Sequence, residues 1–266
     1  MKKIIPYMTA AVLLFHCSAL PEKYTSPTGR YRIITVDDPE MNQMGAKAFE
    51  DLKKKTPAET DPNTNAYVKC IANAITAVIS DSTGVQSWEV VVFNDSTANA
   101  FALPGGKIGV HTGILPVAKT ADQLAAVMGH EVAHVLARHG AERISEGGLL
   151  QKGMEAIGSA TKNDPKIMGA IGAGAQFGVM LPFSRKHETE ADILGLEYMA
   201  KAGFDPSESI NLWKNMNAAG GSKPPEIMST HPSDQTRMNN LNEKLPDAKK
   251  LYDEAKAKGK NPNCRL

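Results

Sequence analysis

The chain has 266 residues, long enough to bury a full core in one domain. Its hydrophobic (42%) and charged (22%) fractions are ordinary for a folded globular protein. Thirty Lys+Arg stand against 29 Asp+Glu, and no basic run carries interleaved aromatics, so the charge balance excludes nucleic acid as a partner.

At the N-terminus Lys2-Lys3 precede an apolar stretch from Ile4 to Phe15, and Cys17-Ser18-Ala19 follow. That order reads as a secretory signal over residues 1–19, too short for a spanning helix. Two processing outcomes are open. Leu14-Phe15-His16-Cys17 resembles a bacterial lipobox, which would make Cys17 a lipidated mature N-terminus and a membrane anchor. Cleavage after Ala19 would leave no lipid. Either way the expected location is a bacterial periplasm or cell envelope. Of the three cysteines, Cys70 and Cys264 then remain as an even pair in an oxidising space. A disulfide between them would pin the polar C-terminal tail to a helix.

Residues 20–38, with Pro21, Pro27 and Gly29, read as a tether, leaving 39–266 as the folded domain. Helices are expected near 39–55 and 63–80, the second striped by Tyr67, Ile71, Ile75 and Val78. Residues 88–93 (Trp-Glu-Val-Val-Val-Phe) read as a strand. Two further strands, 99–103 and 107–111, flank Pro104-Gly105-Gly106, a hairpin signal. A helix follows from an N-cap at Thr120 to a stop at Gly140, and more are expected near 144–160, 165–181, 185–202 and 206–218. Ile167 to Ser184 carries no charge and several glycines, which suits a tightly packed helix, a flap over a cleft or a membrane-inserting segment. The fold class is α+β: a small sheet with a hairpin beside a mostly helical body.

Within the helix after Thr120 lies His130-Glu131-Val132-Ala133-His134. Histidines four apart on a helix share one face, so both can bind a single Zn²⁺ while Glu131 stands beside them to deprotonate a water. A catalytic zinc needs a third protein ligand. The metzincin pattern would place Gly at 137 and His at 140, and Ala137 and Gly140 close that route. Glu155 lies at a thermolysin-like distance, but its neighbours offer no partner for the histidines. The remaining source is Ser184-Arg185-Lys186-His187-Glu188-Thr189-Glu190-Ala191-Asp192, where Glu188 and Asp192 are again four apart on one face. One can bind metal while the other orients a ligand.

The pentapeptide followed by Ser184-Arg185, Glu188-Thr189-Glu190-Ala191-Asp192 resembles the zinc metallopeptidases that include HtpX and the CAAX prenyl proteases. Residues 99–106 (Asn-Ala-Phe-Ala-Leu-Pro-Gly-Gly), Thr112-Gly113 and Ser229-Thr230-His231-Pro232 with Arg237 are similar to its soluble exported branch, typified by LoiP and BepA. The resemblance spans roughly residues 40–245 and implies a gluzincin-type zincin fold. It implies His130, His134 and Glu188 as ligands to one zinc, with Asp192 as the acid that supports them. It also places His231 and Arg237 at the cleft, as donors to a tetrahedral oxyanion. Alternatively these two are structural, or His231 occupies the open zinc position and makes the enzyme latent.

His111, His139 and His187 are expected to be surface or packing residues; on a continuous helix His139 would point away from the ligand face. An extended peptide could add to the strand at 107–110 through main-chain bonds. The resemblance then implies unfolded or misfolded cell-envelope proteins as substrates of an endopeptidase. The rival is a non-cleaving envelope assembly factor that keeps the scaffold.

Overall fold

A computed structural model describes residues 25–80, 83–160, 183–219, 226–231 and 235–266. The expected signal at 1–19, the helix at 165–181 and nearly all of the uncharged 167–184 segment lie outside the described residues.

Helix α1 (Asp38–Lys55) starts where Asp37 accepts the Glu40 amide, and it ends in three lysines that suit the negative end of its dipole. Helix α2 (Pro62–Thr76) is capped in the same way by Asp61 and buries Tyr67, Val68, Ile71, Ala72 and Ile75. Among the described residues the sheet has three strands, β1 (Glu89–Phe93), β2 (Ala100–Leu103) and β3 (Lys107–His111), in the order β1-β3-β2. The hairpin holds: β2 runs antiparallel to β3, and Gly105 and Gly106 turn the chain at φ 83° and 72°. However, β1 pairs in parallel with β3 from Glu89↔Lys107 to Phe93↔His111. Residues 107–110 are therefore paired on both sides, and the expectation that a peptide could add there is overturned. Beside the helical body, β2 is an outermost strand among the described residues.

Thr120 caps α3 (Ala121–Leu136) as expected, accepting the Gln123 amide. The helix stops earlier than Gly140. Arg138 takes a left-handed φ of 56°, and α4 (His139–Ala160) starts at once. Arg138 is held there by Asp38, with Nε and Nη2 contacts of 2.9 Å. Then come α5 (Arg185–Ala202), α6 (Glu208–Ala219), the short α7 (Glu226–Thr230) and α8 (Gln235–Ala257). The last is absent from the sequence expectations because it is largely polar and contains Pro246; it buries only Arg237, Leu241, Ala248 and Ala255.

One core joins α2, the sheet, α3, α5 and α6 through residues such as Ile71, Ile108, Leu124, Met199 and Leu212. Cys70 on α2 is disulfide-bonded to Cys264, which ties the C-terminal tail to this core. Residues 25–36 fell within the expected tether, yet they are packed on the domain. Ile34 and Val36 join Met41 and Ala141, and Arg32 is 2% exposed with its guanidinium on the Ala137 carbonyl at the end of α3. No helix among the described residues is long and apolar enough to cross a membrane.

Candidate metal centre

The expected site residues come from four elements. Helix α3 supplies His130, Glu131 and His134, and α5 supplies Glu188 and Asp192. His231 directly follows α7, and Arg237 is on α8. Ser184 caps α5 by accepting the His187 amide, which sets Glu188 in the first turn. Where α3 crosses α5, Gly129 faces Gly195, and the close approach brings the Glu188 carboxylate to the histidines.

His130, His134, Glu188 and His231 place one donor atom each within 4.8 Å of one another. His134 Nε2 lies 3.1 Å from His130 Nε2 and 3.4 Å from Glu188 Oε1. Glu188 Oε2 is 3.4 Å from His130 Nε2, and His231 Nδ1 is 2.9 Å from Glu188 Oε1 and 3.3 Å from His130 Nε2. Donors around a tetrahedral ion with bonds near 2.0–2.1 Å sit about 3.4 Å apart. The spacing and the imidazole–carboxylate set therefore fit one divalent metal of the zinc type.

Charge around the cluster is arranged in layers. Arg237 gives Nε and Nη2 to the two oxygens of Asp192 at 2.7 Å each, and its Nη1 is 2.7 Å from Glu188. Asp192 in turn lies 3.0 Å from His130 Nδ1. Burial pushes the Asp192 carboxyl up, but the Arg237 charge and hydrogen bonds outweigh it and hold it below its usual value. Burial raises Glu188 as well, and hydrogen bonds from three histidines reverse this and take it far below the carboxylate range. Burial alone dominates at Glu131, pushing its carboxyl up. His134 is driven well below its usual value by the same cause. For His130, burial is opposed by Asp192 and Glu188, which hold the ring protonated up to about 10; a metal at Nε2 displaces that proton.

Several residues differ from their expected parts. Arg237 is 3% exposed, engaged by Asp192 and Glu188, and its guanidinium lies 4.3 Å over the Trp213 ring. Its geometry is that of a positioning group for two carboxylates rather than a donor aimed at an oxyanion. His139, expected to face away, is fully buried with Nδ1 2.9 Å from His134 Nδ1. The cause is the break at Arg138, which turns His139 back toward the preceding turn instead of continuing the helical wheel. His187 packs as expected, 3.2 Å from Glu142, and His111 hydrogen-bonds Thr97. Phe183 was missed: it lies against the rings of His134 and His231 at 4.1 and 5.3 Å, a contact for which nothing in the local sequence is a signal.

The model of peptidase family M48 matches residues 62–245. The chain belongs to peptidase family M48. It is similar to the mitochondrial metalloendopeptidase OMA1 of Schizosaccharomyces pombe, 38% identical over 85% of this chain and 67% of the relative. The OMA1 of Saccharomyces cerevisiae is 32% identical over 96% of this chain and 77% of its own. The beta-barrel assembly-enhancing protease of Escherichia coli is 28% identical over 74% and 42%. This M48 chain is a metalloendopeptidase. The relatives overturn one expectation, the placement in a bacterial periplasm or cell envelope, since those from two yeasts and Arabidopsis thaliana carry mitochondrial names. A short basic and apolar run does not by itself specify a membrane, so it could not carry that placement.

Proposed function

We propose that this M48 peptidase uses one zinc ion, held by His130, His134 and Glu188, to cleave unfolded or loosely folded polypeptides. The observation that carries the zinc assignment is the convergence of the four donor atoms within 4.8 Å, with Glu131 buried beside them. A zinc ion bound there supplies Lewis-acid polarisation of the scissile carbonyl and a more acidic water. Glu131 accepts the proton of the attacking water and returns it to the leaving amine. Its raised pKa suits that exchange, because burial brings the carboxyl nearer to neutrality. Asp192 Oδ1 stands 3.0 Å from His130 Nδ1, an ionic contact that favours a ring with Nε2 turned toward the ligand cluster, and Arg237 keeps Asp192 ionised.

His231 is assigned to the resting state. Its Nδ1 is within the four-donor cluster and its Nε2 is 3.5 Å from Glu131, so the ring stands where water and substrate must enter. Cleavage requires it to move. This substrate class is supported by β2, which among the described residues is an outermost strand and packs beside α3. Main-chain pairing along Ala100–Leu103 selects extended segments over particular side chains.

Glu131→Gln tests the reading. The variant should retain zinc and lose cleavage of casein, an unstructured probe. Cleavage at the wild-type rate by this variant would remove Glu131 from the chemistry and the reading with it.

A further inference from the structure

The two histidines of α3 are supported differently at Nδ1. His130 meets a carboxylate directly, whereas His134 meets another imidazole, that of His139, at 2.9 Å. Behind His139 stands Glu190, with Oε2 3.1 Å from His139 Nε2. Glu190 is 2% exposed, and its other partners come from the N-terminal segment. The Thr28 amide and hydroxyl donate to Oε1 at 3.2 and 2.8 Å, and Arg30 Nη2 and Nε donate to Oε2 at 3.0 and 3.3 Å.

We propose that His139 and Glu190, clamped by Thr28 and Arg30, form a positioning chain that fixes the ring and the tautomer of the metal ligand His134. It rests on the reading that His134 holds the metal. An ionised carboxylate only accepts hydrogen bonds, so His139 Nε2 donates to Glu190. A neutral imidazole has one N–H, which leaves His139 Nδ1 as an acceptor. His134 Nδ1 therefore carries the hydrogen, and its lone pair is on Nε2, the atom facing His130 and Glu188. The pattern is the same from the other end. A metal at His134 Nε2 leaves Nδ1 as the N–H, and its nearest acceptor is His139 Nδ1. The chain also gives residues 25–36 a task beyond packing, because Thr28 and Arg30, which hold the Glu190 carboxylate in place, belong to that segment.

The test uses the full chain, Zn²⁺ in competition with a chelator, and thermal unfolding of the metal-free protein. His139→Asn and His139→Gln are the informative pair. Asn puts its amide oxygen near the Nδ1 position and can still accept from His134, whereas Gln puts its amide near the Nε2 position and cannot. Zinc affinity should fall about 10- to 100-fold in His139→Gln and in His139→Phe, and stay closer to wild type in His139→Asn. Metal-free unfolding temperatures should not follow that order. An affinity in His139→Asn equal to or weaker than that in His139→Gln overturns the proposal, and that comparison stands even where the Phe variant does not fold. His134→Ala separates the two levels. If it binds zinc as tightly as wild type, the metal-site reading fails; if it loses zinc while the Asn and Gln variants bind alike, only the positioning chain fails.

Discussion

Gly129 on α3 and Gly195 on α5 meet with no room for a side chain between them. A Cβ on Gly195 would stand 2.7 Å from the His130 amide nitrogen, and one on Gly129 would stand 2.8 Å from the Gly195 carbonyl oxygen. Both obstacles are backbone, so a methyl there must push the helices apart. The crossing is next in sequence to His130, and it sets how far the Glu188 carboxylate reaches.

Gly195→Ala is therefore expected to act at the metal centre without touching a ligand. Overpacking of this kind costs about 1–3 kcal/mol. The separation it forces should lower zinc affinity along with stability. Chelator competition and denaturant unfolding on the same preparation measure both. A variant that loses stability but binds zinc as wild type would show that α5 tilts without moving Glu188.

Arg237 is bound to the same helix by charge. Replacing it with Met leaves Asp192 and Glu188 buried without their shared cation, and breaking a buried pair from one side costs about 3–5 kcal/mol. Arg237→Lys should restore little, because an ammonium cannot reproduce the two-pronged contact with Asp192 while also reaching Glu188. Denaturation midpoints for wild type and both variants check this. Full rescue by Lys would mean that charge alone, not the fork, holds the two acids.

These contacts show which parts of the centre could be read from sequence. His130 and His134, like Glu188 and Asp192, are legible because a helix puts residues four apart on one face. His231 and Arg237 have no such period, and only the family resemblance brought them near the site. The pairing of Gly129 with Gly195 is a contact between helices, so neither glycine stands out locally. His139 was misread because Ala137-Arg138 carries no glycine to mark the break, yet Arg138 goes left-handed. The edge at 107–110 was misread for a similar reason: the parallel partner β1 is not joined to β3 by a tight turn. Helix α8 escaped because its sequence is polar and holds Pro246, while its burial depends on α5.

His231→Ala should release the resting state. Loss of a donor from the cluster is expected to weaken zinc binding modestly and to raise the initial rate of casein cleavage at saturating zinc. The opposite result has its own meaning. A fall of about 10²–10³-fold in kcat with zinc still bound would make His231 a donor to the transition state, and latency would have to be abandoned.

Acid should weaken the fold through Glu142. This residue is 3% exposed, and Arg30 donates to its two oxygens at 2.5 and 2.7 Å while His187 lies 3.2 Å away. Burial raises its carboxyl, but the Arg30 hydrogen bonds and then His187 win, lowering the pKa from 4.5 to about 2. A carboxyl depressed in the folded state contributes stability that is fully present above the unfolded value and lost as pH falls through the folded one. Between pH 4.5 and about 2 the unfolded chain takes up a proton at Glu142 that the folded chain refuses, so stability rises with pH there. The contribution is on the order of 3 kcal/mol. Urea unfolding of metal-free protein from pH 6 down to pH 2 should show Glu142→Gln well below wild type at the upper end and converging on it at the lower end. Parallel curves for the two proteins across that range would rule out Glu142 as the titrating group and leave Arg30 stabilising the fold through Glu190 alone.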